Sequence, residues 1–257
     1  MPDVTMPRAK VALVTGASSG IGRALAGELA GRGMRVAIAA RRGDALESLA
    51  REISSRGGQA LPIVVDVRDP DAVRAMVQRV DAELGSLDLV VANAGVGTTG
   101  HASTMQWADI DQVLAVNVRG AMATLCAAIP IMVAQQRGHL VGVSSLAGGR
   151  GLPTSAAYSA SKAALSTFLE SLRVDLAPSG IHVTDVRPGF VATEATRSAD
   201  HPMPFLWPVD RAARHIARRL ASEPAVVAFP WPLALLTSFS RFLPTWTYDP
   251  LVRAMRH

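Results

Sequence analysis

Two of the rarest residue types in this chain stand four positions apart. It has two lysines against 24 arginines, and two tyrosines, yet the run Tyr158-Ser-Ala-Ser-Lys162 contains one of each. On a helix, a spacing of four puts both side chains on one face. A phenol near its reference pKa of ~10 carries protons poorly at neutral pH. An ammonium group a few ångströms away stabilises the phenolate and lowers that pKa. The phenol can then give a proton to a carbonyl being reduced, or take one from an alcohol. Thirteen residues upstream stands Ser145, whose hydroxyl can donate to a substrate oxygen as negative charge develops there. Its neighbour Ser144 competes for that role. Asn117 falls in the middle of a long helical pattern, where its type has weak propensity. It reads either as a core amide satisfied internally, or as a residue whose side chain or freed carbonyl holds a water connected to Lys162.

A second group of residues is suited to phosphate. Thr15-Gly16-Ala17-Ser18-Ser19-Gly20-Ile21-Gly22 follows the first apolar run and opens a helix. Glycines allow the tight turn and the close approach of a pyrophosphate, and the helix N-terminus adds N–H donors and a favourable dipole. The second apolar run ends in Arg41-Arg42 rather than in the carboxylate that would accept ribose hydroxyls. An arginine pair there can hold a 2′-phosphate, so NADP(H) is favoured over NAD(H); the alternative is a solvated basic surface. Asp66-Val67 and Asn93-Ala94-Gly95 close the third and fourth runs, at the strand ends where open α/β sheets bind ligands. Asp66 lies too early to cap the helix after Pro70 and reads as an adenine contact. Asn93 and Gly95 either line the ligand or simply form a turn.

Parallel strands are the elements that must position these groups. Apolar runs at 11–14, 35–40, 61–65, 87–92, 140–143 and 182–186 are bounded by Gly, Pro or Asp and predict strands. Helical patterns fill 20–32, 44–56, 70–84, 105–136 and 156–177. The runs are continuously apolar rather than alternating, as in a parallel sheet covered on both faces. Strands alternating with helices predict an α/β, doubly wound architecture. Beyond Pro188 come a loop near 190–207, a helix near 209–221, a short strand at 225–229 and a Pro- and Trp-rich tail. A long irregular stretch of this kind is commonly a substrate lid. No linker divides the chain, so 1–257 reads as one domain, with 190–257 as its lid and C-terminal tail.

The runs TGASSGIG and ANAG, with Asn117, Ser145, YSASK and Pro188-Gly189, together resemble the single-domain short-chain dehydrogenase/reductase family over roughly residues 8–195. The resemblance implies a Rossmann-like seven-stranded parallel sheet with helices on both faces, a nicotinamide cofactor and a catalytic group of Asn117, Ser145, Tyr158 and Lys162. It also implies Ser18 and Arg41 at the 2′-phosphate, Ile21 at the pyrophosphate and Lys162 at the nicotinamide ribose. Pro188, Gly189, Val191 and Thr193 would line the nicotinamide end. Ala92 stands where the family often has a second asparagine. The implied activity is NADP(H)-dependent interconversion of a carbonyl and a secondary alcohol on an apolar small molecule, in a homodimer or homotetramer. The alternatives are a 3-oxoacyl thioester reductase, whose basic C-terminal helix would dock an acidic carrier protein, and a non-catalytic NADPH-binding sensor or scaffold. Phe190, Met203, Phe205, Leu206 and Trp207 read as an apolar pocket, or equally as core or interface contacts.

Composition narrows the remaining possibilities. The single cysteine, Cys126, excludes an intramolecular disulfide and reads as an inert buried thiol. The six histidines show no metal-ligand spacing, so no metal is expected. Residues 1–10 do not read as a signal peptide. The uncharged run 225–240 contains Pro230 and Pro232 and falls short of the ~20 apolar residues a spanning helix needs; a cytoplasmic protein is expected. Of the formal charge of +5, residues 201–257 contribute seven arginines against three acids. Such a balance can signal nucleic-acid binding. No basic run here is interleaved with stacking aromatics, however, and Arg211, Arg214, Arg218 and Arg219 read as one solvated helix face. The tail itself reads first as a self-association surface with lid formation. Contact with an anionic membrane surface is the less favoured reading.

Overall fold

In a computed structural model, residues 10–98, 100–196 and 202–254 are described. The chain opens with β1 (Val11–Thr15), α1 (Gly20–Gly31), β2 (Arg35–Ala40), α2 (Gly43–Ser55), β3 (Gln59–Val64), α3 (Pro70–Leu84) and β4 (Leu89–Ala92). After these come α4 (Trp107–Leu114), a π-helical turn (Ala115–Gly120), α5 (Ala121–Gln135), β5 (Gly138–Val143), α6 (Ala156–Leu176) and β6 (Ile181–Pro188). The last third holds the two-residue strands β7 (Val191–Ala192) and β8 (Trp207–Pro208), then α7 (Val209–Leu220), β9 (Val226–Phe229), α8 (Trp231–Ser240) and α9 (Thr245–Ala254).

Seven of the strands form one parallel sheet in the order β3-β2-β1-β4-β5-β6-β9. Its strands are apolar without alternation because both faces are covered. Ala12 and Val14 of β1 pack with Leu25 and Leu29 of α1, Leu46 and Leu49 of α2, and Ile216 of α7. Val11 and Leu13 point the other way, toward Val73 and Val77 of α3, Leu125 of α5, and Leu165 and Leu169 of α6. This is the doubly wound, Rossmann-like arrangement expected from the sequence. Its order reverses between β1 and β4, so a crevice opens at their carboxyl ends, where such sheets bind ligands.

Three expectations are corrected. The pattern at 105–136 is not one regular α-helix: the π turn interrupts it around Asn117, for a reason given below. By length and composition Trp107–Gln135 is apolar enough to cross a membrane, yet Leu125, Ala128 and Met132 form a stripe buried in the core. Cys126 falls outside that stripe and is exposed rather than buried. The Pro- and Trp-rich tail is not irregular but forms α8 and α9, with Pro232 in the first turn of α8, where its missing N–H has no helical partner to lose. The lid expected at 190–207 is tied at its base by the pairing of β7 with β8, and its residues 197–201 lie outside the described residues.

Candidate active site

The crevice between β1 and β4 is shaped by the absence of side chains. Gly16 has a φ of +68°, and a Cβ there would stand 2.7 Å from Ala94 Cα. At Gly22 a Cβ would stand 2.3 Å from Asn93 Nδ2, so α1 packs directly on the end of β4. Asn93 closes this joint: its Nδ2 donates to the Thr15 carbonyl at 2.9 Å, and its own N–H donates to Thr15 Oγ1 at 3.1 Å. Asn93 and Ala94 therefore brace the loop. At the start of α1, Ser19 makes no side-chain capping bond, and the first turn has no acid. The opening N–H groups of α1 thus have no capping side chain or acid of their own turn, which suits a pyrophosphate.

The carboxyl end of β2 is basic. Arg42 Nε donates to Ser18 Oγ at 3.2 Å, and its Nη2 pairs with Glu194 at 3.3 Å. Arg41 is exposed on the other side, and its charge helps to lower the pKa of Asp66. Arg42 is thus the arginine that touches Ser18. Asp66 is held below the usual carboxylate range chiefly by hydrogen bonds from Arg68, whose Nη2 donates at 2.6 Å. The helix cap that Asp66 lies too early to provide comes from Asp69, which accepts from Asp71 N and Ala72 N. Val67 is buried, and a Cβ on Gly120 would stand 2.8 Å from its Cγ2.

Ser145, Tyr158 and Lys162 come together at the end of β5 and the start of α6. Lys162 is buried and donates from Nζ to the Val143 carbonyl at 2.8 Å, with Nζ 5.7 Å from the centroid of the Tyr158 ring. A Cβ on Gly95 would stand 3.4 Å from both Lys162 Nζ and Asn117 Oδ1, so Gly95 lies between these two residues. The side chain of Asn117 is committed inside the protein. Its Oδ1 accepts from Val96 N at 2.8 Å, and its Nδ2 donates to Val96 O and Ser161 Oγ at 2.9 and 3.0 Å. These bonds draw Asn117 inward against the β4–α4 connection, and the π turn accommodates that pull. Ser144 and Ser145 diverge: Ser144 Oγ donates to buried Asp185 at 2.5 Å, whereas Ser145 Oγ donates to the Pro188 carbonyl at 3.3 Å, accepts from Ala147 N at 3.1 Å and lies near enough to Tyr158 to affect its proton affinity.

Burial sets the proton affinities here. Desolvation raises the pKa of Tyr158, opposed by the hydrogen bond with Ser145. The Lys162 ammonium is directed to the Val143 carbonyl. Burial lowers Lys162 to about 8, opposed by the charge of Asp185.

Pro188 ends β6, and Gly189 N donates to Phe229 O at 2.7 Å. Val191 is a core residue, so only its backbone can face the crevice. A Cβ on Gly20 would stand 3.3 Å from Thr193 Cγ2, which places Thr193 against the phosphate loop. A cavity of about 380 Å³ lies between that loop and the lid, lined by Gly20, Thr193, Glu194, Met203 and Leu206 among others. Tyr158 is not among its lining residues. Trp207 belongs to the packing instead, stacked on Phe229 at 5.0 Å and covered by Arg211 at 4.0 Å.

A family model described as short chain dehydrogenase matches residues 10–203. The chain belongs to the short-chain dehydrogenase family. An uncharacterized oxidoreductase of Myxococcus xanthus is 49% identical over 247 residues, covering 96% of this chain and 98% of its own. A short chain dehydrogenase of Pseudocercospora fijiensis is 38% identical over 76% of this chain and 66% of its own. Among solved structures, a short-chain type dehydrogenase/reductase from Mycobacterium marinum superposes with a TM-score of 0.78 at 32% identity, over 86% of this chain and 93% of its own. The 3-ketoacyl-(acyl-carrier-protein) reductase of Brucella melitensis, complexed with NADH, does so at 0.77 and 29% identity, over 85% and 96%. This short-chain dehydrogenase is therefore an oxidoreductase of a family that uses a nicotinamide cofactor. The sequence reading of its site passed over Asp185 and Glu194. A charged residue inside the apolar run 182–186 was the available signal for Asp185; Glu194 lies in the expected lid and had none.

Proposed function

We propose that this short-chain dehydrogenase interconverts a carbonyl and a secondary alcohol on an apolar small molecule, using NADP(H) in preference to NAD(H). The observation that carries the reading is the convergence of Ser145, Tyr158 and buried Lys162 between the end of β5 and the start of α6, with Lys162 Nζ 5.7 Å from the centroid of the Tyr158 ring. Bound at the β1–β4 crevice, the nicotinamide supplies or accepts the hydride. Gly16, Ser18, Ser19, Gly20, Ile21 and Gly22 would hold the cofactor's phosphates, with Arg41 and Arg42 at the 2′-phosphate. Asp66, Val67 and Asn93-Ala94-Gly95 would border the adenosine side, and Pro188, Gly189, Val191 and Thr193 the nicotinamide side. The chain works as a single domain, in which 190–257 forms the lid and tail, and it self-associates.

The chain's own groups handle the proton. Ser145 Oγ donates to the substrate oxygen and orients it toward the Tyr158 hydroxyl. Tyr158 gives up its proton as that oxygen becomes negative, and the Lys162 ammonium, freed from Val143 O, stabilises the phenolate left behind. With the Asn117 side chain fully bonded, its backbone carbonyl in the π turn is the group that would hold a connecting water. Tyr158→Phe should bind NADPH within about twofold of the parent while turnover falls at least about a hundredfold, the scale of general acid catalysis. The check is NADPH oxidation with acetophenone, ethyl acetoacetate and a 3-oxoacyl thioester, beside a fluorescence titration of NADPH. Residual turnover near the parent rate defeats the assignment.

A second reading, a 3-oxoacyl thioester reductase, draws support from the likeness to the Brucella melitensis enzyme. It also draws on the exposed Arg211, Arg214, Arg218 and Arg219 of α7, a face suited to an acidic carrier. Turnover of the thioester alone, lost when these arginines are reversed in charge, would favour it.

A further inference from the structure

We infer that Arg150 and Tyr248 are positioning residues, clasping the glycine-rich loop between Ser145 and Tyr158 to α8 and α9 so that the C-terminal helices hold the reacting groups in register. The inference rests on the proposed roles of Ser145 and Tyr158.

The loop cannot hold its own shape. Gly148-Gly149-Arg150-Gly151 has three glycines in four positions, each with more backbone freedom to lose than any other residue type. The glycines do allow close packing: a Cβ on Gly148 would stand 2.8 Å from the Lys162 backbone. That packing fixes one side of the loop, and the C-terminal helices fix the other. Arg150 Nη1 donates to the carbonyls of Ser240 and Leu243 at 2.5 and 2.6 Å. Ser240 ends α8, at the negative end of its dipole, and a carbonyl has a second lone pair free beside the bond it accepts from Leu243 N at 3.2 Å, so a guanidinium is well matched to it. The same guanidinium lies 3.8 Å above the centroid of the Tyr248 ring, and the Tyr248 hydroxyl donates to the Gly151 carbonyl at 2.7 Å. Tyr248 is nearly buried in doing so. Arg150 and Tyr248 thus grip each other across the join: the loop's arginine holds the tail, and the tail's tyrosine holds the loop.

At its other end α8 leans on the nicotinamide side. A Cβ on Gly189 would stand 2.9 Å from Leu233 and 3.0 Å from Pro230. One helix therefore touches Gly189 through its first turn and the Ser145–Tyr158 loop through its last. None of the hydrogen bonds or ring contacts that Arg150 and Tyr248 make involves the phosphate loop. Releasing the clasp should loosen the reacting geometry and leave nucleotide binding alone. A displacement on the order of 1 Å at a reacting centre costs roughly a hundredfold in rate.

The test compares Arg150→Ala, Arg150→Lys and Tyr248→Phe in the full chain with saturating NADPH. Hydrogen exchange by mass spectrometry is read alongside NADPH oxidation with acetophenone or ethyl acetoacetate. Arg150→Ala should speed exchange across 146–155 and 241–254 and lower kcat about a hundredfold, with the NADPH Kd within twofold. Arg150→Lys should recover part of both. Tyr248→Phe, which keeps the ring under the guanidinium and should fold normally, should speed exchange around Gly151 with a smaller loss of rate. Unchanged exchange at 146–155 in both Arg150→Ala and Tyr248→Phe overturns the clasp. So does a loss that spreads to β1 and the NADPH Kd, which would mark general destabilisation. Tyr158→Phe separates the two claims: if it keeps its turnover, the catalytic assignment falls, while the exchange data still decide whether the clasp orders the loop.

Discussion

At the scale of single residues, the site is organised by what surrounds each charge. Lys162 is buried and its pKa lowered to about 8, Asp185 is buried and bonded to Ser144, and Arg42 stands half-exposed between Ser18 and Glu194. The last arrangement has a consequence for cofactor choice. An exposed ion pair such as Arg42 with Glu194 contributes only ~0–1 kcal/mol. A phosphate offers charge-assisted, bidentate acceptors that an arginine prefers, so the 2′-phosphate of NADPH should take Arg42 from Glu194. Arg42→Ala and Arg41→Ala should each weaken NADPH about tenfold, equivalent to losing ~1.4 kcal/mol, and NADH far less. Glu194→Gln should tighten NADPH two- to threefold by removing the competitor. Fluorescence titration of both nucleotides is the check. Equal weakening of NADPH and NADH in the arginine variants would show that neither side chain reads the 2′-phosphate.

At the scale of elements, adjoining strands carry their own pH sensor. His139 on β5 is 6% exposed, and its Nε2 lies 2.8 Å from Thr184 Oγ1 on β6. Burial, aided by the charges of His182 and Lys10, lowers its pKa to about 4. Between that value and the unfolded value of ~6.5, the unfolded chain binds more protons, so stability falls as pH drops through this window. At 1.36 kcal/mol per unit the contribution is about 3 kcal/mol. Urea unfolding should show a shallower loss of stability from pH 7 to 4.5 in His139→Gln than in the parent; parallel losses would exclude His139 as the origin. The strands themselves were legible because continuous apolar runs leave few alternatives, and 35–40 and 70–84 agree with β2 and α3 to the residue. The π turn was not legible, because it arises from tertiary hydrogen bonds of Asn117 to Val96 and Ser161. The loop's own sequence marked Ser145 and Tyr158, but nothing local marks Arg150, whose partners lie about ninety residues away. Helix α8 was hidden for another reason: Pro230 and Pro232 read as punctuation, although prolines also start helices.

At the scale of the whole molecule, the two ends of the sheet differ in what they show to solvent. Trp231, Leu235 and Phe239 recur every four residues along α8 and are largely exposed, and Phe242 and Trp246 follow at steps of three and four toward α9, Phe242 at 83%. A contiguous apolar surface of this kind exceeds what a monomer ordinarily leaves in water. Arg241 and Arg253 sit beside it, with Asp249 the acid within the segment. The clasp at Arg150 bears on what covers it. A segment fastened this firmly to the body of the protein presents a fixed, pre-shaped surface, which suits a self-complementary contact with a second copy. An interfacial helix needs a polar face rich in Lys or Arg opposite its apolar one, whereas α8 carries neither and the segment is broken at Pro244. Sedimentation velocity at micromolar concentration should therefore show an oligomer for the parent chain. The double variant Phe239→Ser, Trp246→Ser should shift to smaller species, with NADPH affinity within twofold because these residues lie outside the proposed nucleotide crevice. A parent chain that sediments as a monomer would sink this expectation; if that monomer also pelleted with anionic vesicles, and the double variant did not, the tail would belong on a membrane surface.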